Sequence, residues 1–227
     1  MKTEGILNLK SLKDQVYEYL RDQLQKGEIR PGDEINMMKT SLKLGVSRTP
    51  LRDALFQLES EDFVTILPRR GVVVKHLSIQ DIKNYYEIIG SLESMALLSA
   101  CPLIKGSDIE KMRDLIEDMT EALASDDFNA YYKKNLKFHN MFLDLCGNKH
   151  LIKIVNNLKK RLYDFPRRQG FVKEWELESI KEHRELLCLI EESKFQEAAS
   201  FMRDVHWSYA VQEKFVKKYY PDAASKQ

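Results

Sequence analysis

Cysteine, proline and glycine are all scarce in this chain of 227 residues, with 3, 6 and 9 of each spread thinly along it. Cys101, Cys146 and Cys188 are odd in number, widely spaced and free of any CxxC pair. That argues against a disulfide framework or a thiolate zinc site and reads as core thiols. With 43% hydrophobic and 31% charged residues beside so little Gly and Pro, a disordered or fibrous chain is not expected. No apolar run approaches bilayer length, and the opening MKTEGILNLK lacks the basic segment and long apolar stretch of a signal peptide. A cytoplasmic protein that does not enter a membrane is therefore expected. Internal repeats and low-complexity segments are missing too. The length suggests two domains, each able to bury its own core.

Acidic residues are missing only locally, and the net charge of +1 hides this. Between Ile35 and Arg52 stand Lys39, Lys43, Arg48 and Arg52 without an acid. From Val64 to Gln80 stand Arg69, Arg70 and Lys75, again without one. Concentrating cations on one face raises affinity for a phosphate backbone, so these windows say more than the total. A solvated basic face with no partner is the other reading of charge alone.

The first eighty or so residues alternate short periodic segments with turn signals. Val16, Tyr17, Leu20 and Leu24 repeat at helical spacing and stop near Gly27. After the turn Arg30-Pro31-Gly32-Asp33 come a short helix around Met38 to Leu44, a break at Gly45, and a helix opening at Ser47 with Pro50 in its first turn. Two β-branched runs, 63–67 and 72–76, flank Pro68-Arg69-Arg70-Gly71 and predict a hairpin. Three helices and a hairpin in this order predict a winged helix-turn-helix. From Ser78 onward helical patterns predominate, with helices predicted over 79–101, 107–124, 127–146, 149–165, 174–192 and 194–219 and a break near Pro166 to Gly170. The expected fold is thus mainly α, with a DNA-binding domain over 1–78 and an all-helical bundle of about six helices over 79–227.

The run from Leu44 to Leu55, Leu-Gly-Val-Ser-Arg-Thr-Pro-Leu-Arg-Asp-Ala-Leu, together with Leu58-Glu59, the wing turn Pro68 to Gly71, and the upstream Gly27 to Asp33, closely resembles the GntR family of regulators. The resemblance implies that Ser47, Arg48, Thr49 and Arg52 contact double-stranded DNA from the recognition helix, with Gly71 at the wing tip. Arginine suits this place because its fork pairs with guanine O6 and N7 or with phosphate. Lys39, Arg69 and Arg70 complete the candidate DNA-binding set. Asp62 stands where the family usually has glycine.

The second half is similar to the FCD effector domain of the FadR-like subfamily. The likeness is carried by Tyr86-Glu87, Leu92-Glu93, Asn135 to His139, Gly147-Asn148, Glu182-His183-Arg184, and Ala198, Met202 and His206. In that family an Asp or Asn and three histidines on separate helices hold a divalent metal, which implies Asn135, His139, His183 and His206 here. Histidines in a helical core can be satisfied by hydrogen bonds alone. Three on different helices, with an Asn one turn from one of them, favour a metal such as zinc, nickel or manganese. Ile89 stands where the family often has an arginine, so if that arginine helps bind an acidic effector this pocket would use another cation, such as Arg161 or Arg184, or accept a less acidic ligand.

The expected function is a ligand-responsive regulator that is not an enzyme. It would act as a homodimeric repressor on a two-fold symmetric operator and respond to a small organic acid. The competing readings are a metal-dependent hydrolase fused to a DNA-binding module, and a constitutive DNA binder with a structural metal.

Overall fold

The computed structural model describes residues 10–163 and 172–220, so the break expected at Pro166 to Gly170 lies outside the described residues. The chain forms two compact units that divide between Leu77 and Ser78. No helix among the described residues is long and apolar enough to cross a membrane.

In the first unit, α1 (Leu12–Gln25) starts where the Ser11 hydroxyl accepts from the Asp14 amide at 3.1 Å. A strand that the pattern did not predict follows: β1 (Glu34–Ile35) is two residues long, too short to show alternation. Asn36 caps α2 (Met37–Leu44), and Gly45, at φ 65°, turns the chain toward α3 (Arg48–Ser60). Leu51, Ala54, Leu55 and Leu58 on one side of α3 are fully buried against the α1 stripe of Val16, Leu20 and Leu24. The hairpin joins β2 (Val64–Leu67) to β3 (Gly71–Val74), antiparallel from Val64↔Val74 to Leu67↔Gly71. β1 pairs with the other edge of β3, giving the sheet order β1-β3-β2.

Asp62 does what glycine would do between α3 and β2. Its φ is 67°, a left-handed conformation that Asp adopts more readily than most residues. Its carboxylate pairs with Lys75, just past β3, and so ties the base of the hairpin.

The second unit opens with its own cap. The Ser78 hydroxyl accepts from the Asp81 amide while the Asp81 carboxylate accepts from the Ser78 amide, which starts α4 (Ile79–Ala100) independently of what precedes it. There follow α5 (Gly106–Ala124), α6 (Phe128–Leu145), α7 (Lys149–Tyr163) and α8 (Lys173–Glu191). The single helix expected over 194–219 is divided. It becomes α9 (Phe195–Phe201), a π-helical turn over Met202–His206, and α10 (Tyr209–Tyr219). The Trp207 amide reaches back five residues to the Met202 carbonyl at 3.0 Å, which widens the turn by one residue before Ser208 opens α10. A winged helix-turn-helix followed by an all-helical bundle is the architecture the pattern predicts; the break adds a helix to the bundle.

Candidate DNA-reading face and candidate metal centre

In the first unit, α3 presents Arg48, Thr49 and Arg52 to solvent from its first turns, with exposed Ser47 in the N-cap position making no side-chain cap bond. With Asn36, Met38, Arg70 and Gly71 they line an open groove of about 500 Å³, so the recognition helix and the wing face one space. Arg69, at φ 63°, is exposed at the wing turn, where the Arg70 amide closes on the Leu67 carbonyl at 3.0 Å. Lys39 is exposed on α2, outside the groove lining. One acid, Glu34, lines the same groove, and among the described residues the α3 arginines make one ion pair. Arg52 lies 3.7 Å from Asp53, but both are largely exposed and such a pair contributes little. Glu59 instead accepts from the Ile66 amide at 2.7 Å and anchors β2.

In the second unit, three histidines from three places in the chain converge. His139 on α6 and His183 on α8 are fully buried, and His206 ends the π-helical turn with a side chain 10% exposed. One ring nitrogen from each lies within 4.8 Å of the other two. His183 Nε2 and His139 Nε2 are 3.2 Å apart. A zinc ion bound at ~2.0–2.1 Å needs nitrogens roughly 3.0–3.4 Å apart, so one pair already fits and the others, no more than 4.8 Å apart, lie within a small movement of it. Asn135 precedes His139 by one turn on the same face of α6, and its buried Oδ1 has no hydrogen-bond partner, nor has His183 Nδ1. An unpartnered, buried amide oxygen one turn from His139 suits a cation held by these side chains.

Two carboxylates orient the rings. His139 Nδ1 is 2.8 Å from Glu93 Oε2, which also accepts from the Trp207 indole at 2.8 Å. His206 Nδ1 is 2.7 Å from Glu182, which is held by the Gln212 amide at 2.8 Å, and Gln212 in turn accepts from Trp175 at 2.9 Å. Protons fixed on Nδ1 leave the Nε2 lone pairs of both histidines for a ligand. Burial pushes the protonation of His139 down to about 4 despite the pull of Glu93. Burial, then the neighbouring imidazoles and Lys159, push His183 well below the usual imidazole range. Both are therefore neutral near neutral pH, the form that binds metals.

Glu93 is fully buried, which alone would raise its pKa, but His139 and Lys159 reverse the shift and hold it below the usual carboxylate range. Lys159 pairs with Glu93 Oε1 while His139 holds Oε2. Sequence reasoning assigned no role to Glu93, Glu182, Lys159, Trp207 or Gln212. The signal for two of them was there: Glu93 interrupts the apolar stripe Ile82, Tyr86, Ile89 and Leu97 on α4, and Lys159 interrupts Leu151, Val155 and Leu162 on α7. Of the proposed effector cations, Arg184 lies outside the cluster. It is exposed and donates to Thr120 and Glu117, since one residue beyond His183 is a 100° rotation away. Arg161 is buried, but two residues beyond Lys159 it points to another side of α7.

The π-helical turn sits close against α4. A Cβ at Gly90 would lie 2.9 Å from Cβ of Trp207 and 3.5 Å from the Arg203 backbone. Ala in place of Gly in a helix interior normally adds about 1 kcal/mol, whereas overpacking costs about 1–3 kcal/mol. With a rigid carbon so near, overpacking should win. Gly90→Ala is expected to lower Tm and shift tryptophan emission as Trp207 is displaced. A Tm at or above wild type with unchanged emission would show that the turn is not seated on α4 at this point.

Residues 84–206 of the chain match the FCD domain family, and residues 12–74 match the bacterial regulatory proteins of the gntR family. The chain is 29% identical over 177 residues to the Nta operon transcriptional regulator of Aminobacter aminovorans, covering 76% of this chain and 80% of that one. It is 23% identical over 162 residues to the HTH-type transcriptional repressor GlaR of Escherichia coli (strain K12), covering 69% and 71%. Among solved structures, E. coli McbR/YncC superposes with a TM-score of 0.68 at 21% identity, over 94% of this chain and 99% of that chain, a likeness of fold.

Proposed function

The chain belongs to the FCD-domain regulators of the gntR family, ligand-responsive DNA-binding proteins, and on that premise we propose that it is a cytoplasmic homodimeric repressor whose helical unit holds one divalent metal and a small carboxylate effector. The observation that carries this reading is the convergence of His139, His183 and His206 within 4.8 Å, with Asn135 one turn from His139. These four side chains would hold the ion, and zinc, nickel and manganese all suit a donor set of imidazoles with one amide oxygen. The bound ion supplies a positive centre that attracts an anion. Three imidazoles and an amide add no negative charge, while the outer carboxylates Glu93 and Glu182 temper the field and Lys159 offsets one of them. Leu92-Glu93 and Glu182-His183-Arg184 support placing the chain in the FadR-like branch. Repression is the sense carried by the name of GlaR.

Regulation rather than catalysis is supported by how the carboxylates are used. Glu93 and Glu182, the acids nearest the cluster, each hold a histidine Nδ1 and so are not free as general bases. Dimerisation through the helical unit is supported by α4, whose exposed Ile88 and Met95 lie two turns apart on one face. One winged helix reads only a few base pairs, so two half-sites are needed for useful specificity.

The test is selection of duplexes from a random pool by the metal-loaded protein, followed by titration with small carboxylates. The selected sites are expected to be two-fold symmetric, bound by two chains, and released by a carboxylate. An asymmetric site bound by one chain would overturn the dimer reading. Binding indifferent to every carboxylate would leave a constitutive binder with a structural metal.

A further inference from the structure

We infer that Lys159 receives the anionic group of the effector, so that its ammonium and the histidine cluster together select a small carboxylate. This rests on the effector reading above and names the residue that would decide specificity. Lys159 is almost fully buried on α7, its side chain 4% exposed. Burying an ammonium is costly unless its three N–H groups find acceptors. Among the described residues Lys159 meets a single one, Oε1 of Glu93, and its ammonium lies over the face of Trp207, 5.4 Å from the ring centroid. Donor capacity is thus left over inside the unit.

That ammonium is tied to the histidines through one carboxylate. Glu93 bridges the two, with Oε1 on Lys159 and Oε2 on His139. Ile89, which carries no charge, is fully buried on α4, and Arg184 is occupied on the outer surface. Among the described residues, Lys159 is the cation linked to the cluster through Glu93. Glu93 and Glu182 already place two negative charges around the site, which disfavours a doubly charged phosphate and favours a singly charged carboxylate.

The experiment follows thermal shifts and calorimetric titrations of the metal-loaded, full-length protein with acetate, lactate, succinate and citrate, the matched neutral amides, and inorganic phosphate. At least one carboxylate is expected to raise the wild-type Tm while its amide does not. Lys159→Met should weaken that carboxylate tenfold or more, and Lys159→Arg should restore most of the loss. Because Met at this position strands Glu93, the double variant Lys159→Met, Glu93→Gln is measured beside it and should show the same anion loss in a folded protein. Metal content is determined on every sample. If wild type holds no metal, the metal reading fails, yet the same titration on the metal-free protein still reports on Lys159. The proposal is overturned if no carboxylate shifts the wild type, if amides or phosphate bind as well as carboxylates, if Lys159→Met binds carboxylate unchanged, or if it loses metal together with the anion.

Discussion

Replacing His206 by alanine is expected to abolish most of the stabilisation that a divalent metal confers. Ligand binding specific to the folded state adds RT ln(1 + [L]/Kd), about 2.7 kcal/mol at a hundredfold excess over Kd. For a chain of this size each kcal/mol moves Tm by roughly 2–4 °C. Chelation should then lower the wild-type Tm by roughly 5–11 °C, while His206→Ala, left with at most three donors, should respond little. His206 is the informative choice because its side chain is 10% exposed and tethered through Glu182, whereas His183 is fully buried and its removal would add a cavity penalty. Comparing the chelator effect in wild type with that in the variant cancels the packing contribution. Elemental analysis on the same samples should show metal in wild type and little in the variant. Asn135→Asp should tighten metal binding, since a carboxylate adds charge to a neutral donor set, and weaken the response to a carboxylate effector. A wild-type melt indifferent to chelation, or equal metal content in both proteins, would reduce the three histidines to core residues.

How much of this was legible in the sequence depends on whether the cause is local. The helix stop near Gly27, the break at Gly45, the helix start at Ser47 and the apolar face of α3 are written within a few residues of where they act. The helices of the first unit and the hairpin follow from them. β1 escaped because two residues cannot establish an alternation and its pairing with β3 is made by a distant segment. The π-helical turn escaped for a different reason. Residues 195 to 219 show no proline or glycine, and the widening coincides with a tertiary contact, Trp207 against Gly90 and Glu93. Residue types on apolar stripes were the usable signal for the site. Histidines at 139, 183 and 206 stood out, but the same logic applied to an acid and a base would have singled out Glu93 and Lys159. Arg184 was drawn in by its closeness to His183 along the chain, where the helix turns adjacent residues apart.

Arg52→Ala is expected to lower affinity for a selected operator by roughly ten- to a hundredfold, about 1–3 kcal/mol, and to relax base preference at the position it reads. Arg52 is exposed on the second turn of α3, in the groove shared with Arg48, Thr49 and the wing residues Arg70 and Gly71. Its pair with Asp53, at 3.7 Å and open to solvent, gives up little when the guanidinium turns toward a base edge. A planar fork with two parallel donors can match guanine O6 and N7 together, which a lysine in the same place cannot do. Lys39 provides the contrast. Exposed on α2 and outside the groove lining, it can act only as a point charge toward phosphate, so Lys39→Ala should weaken all sequences about equally and reduce the salt slope by about one unit. Fluorescence anisotropy with the selected duplex and single-base variants, at several salt concentrations, separates the two behaviours. If Arg52→Ala held the operator as tightly as wild type, or lost affinity equally for every sequence, α3 would be a phosphate anchor and base reading would have to come from elsewhere on this face.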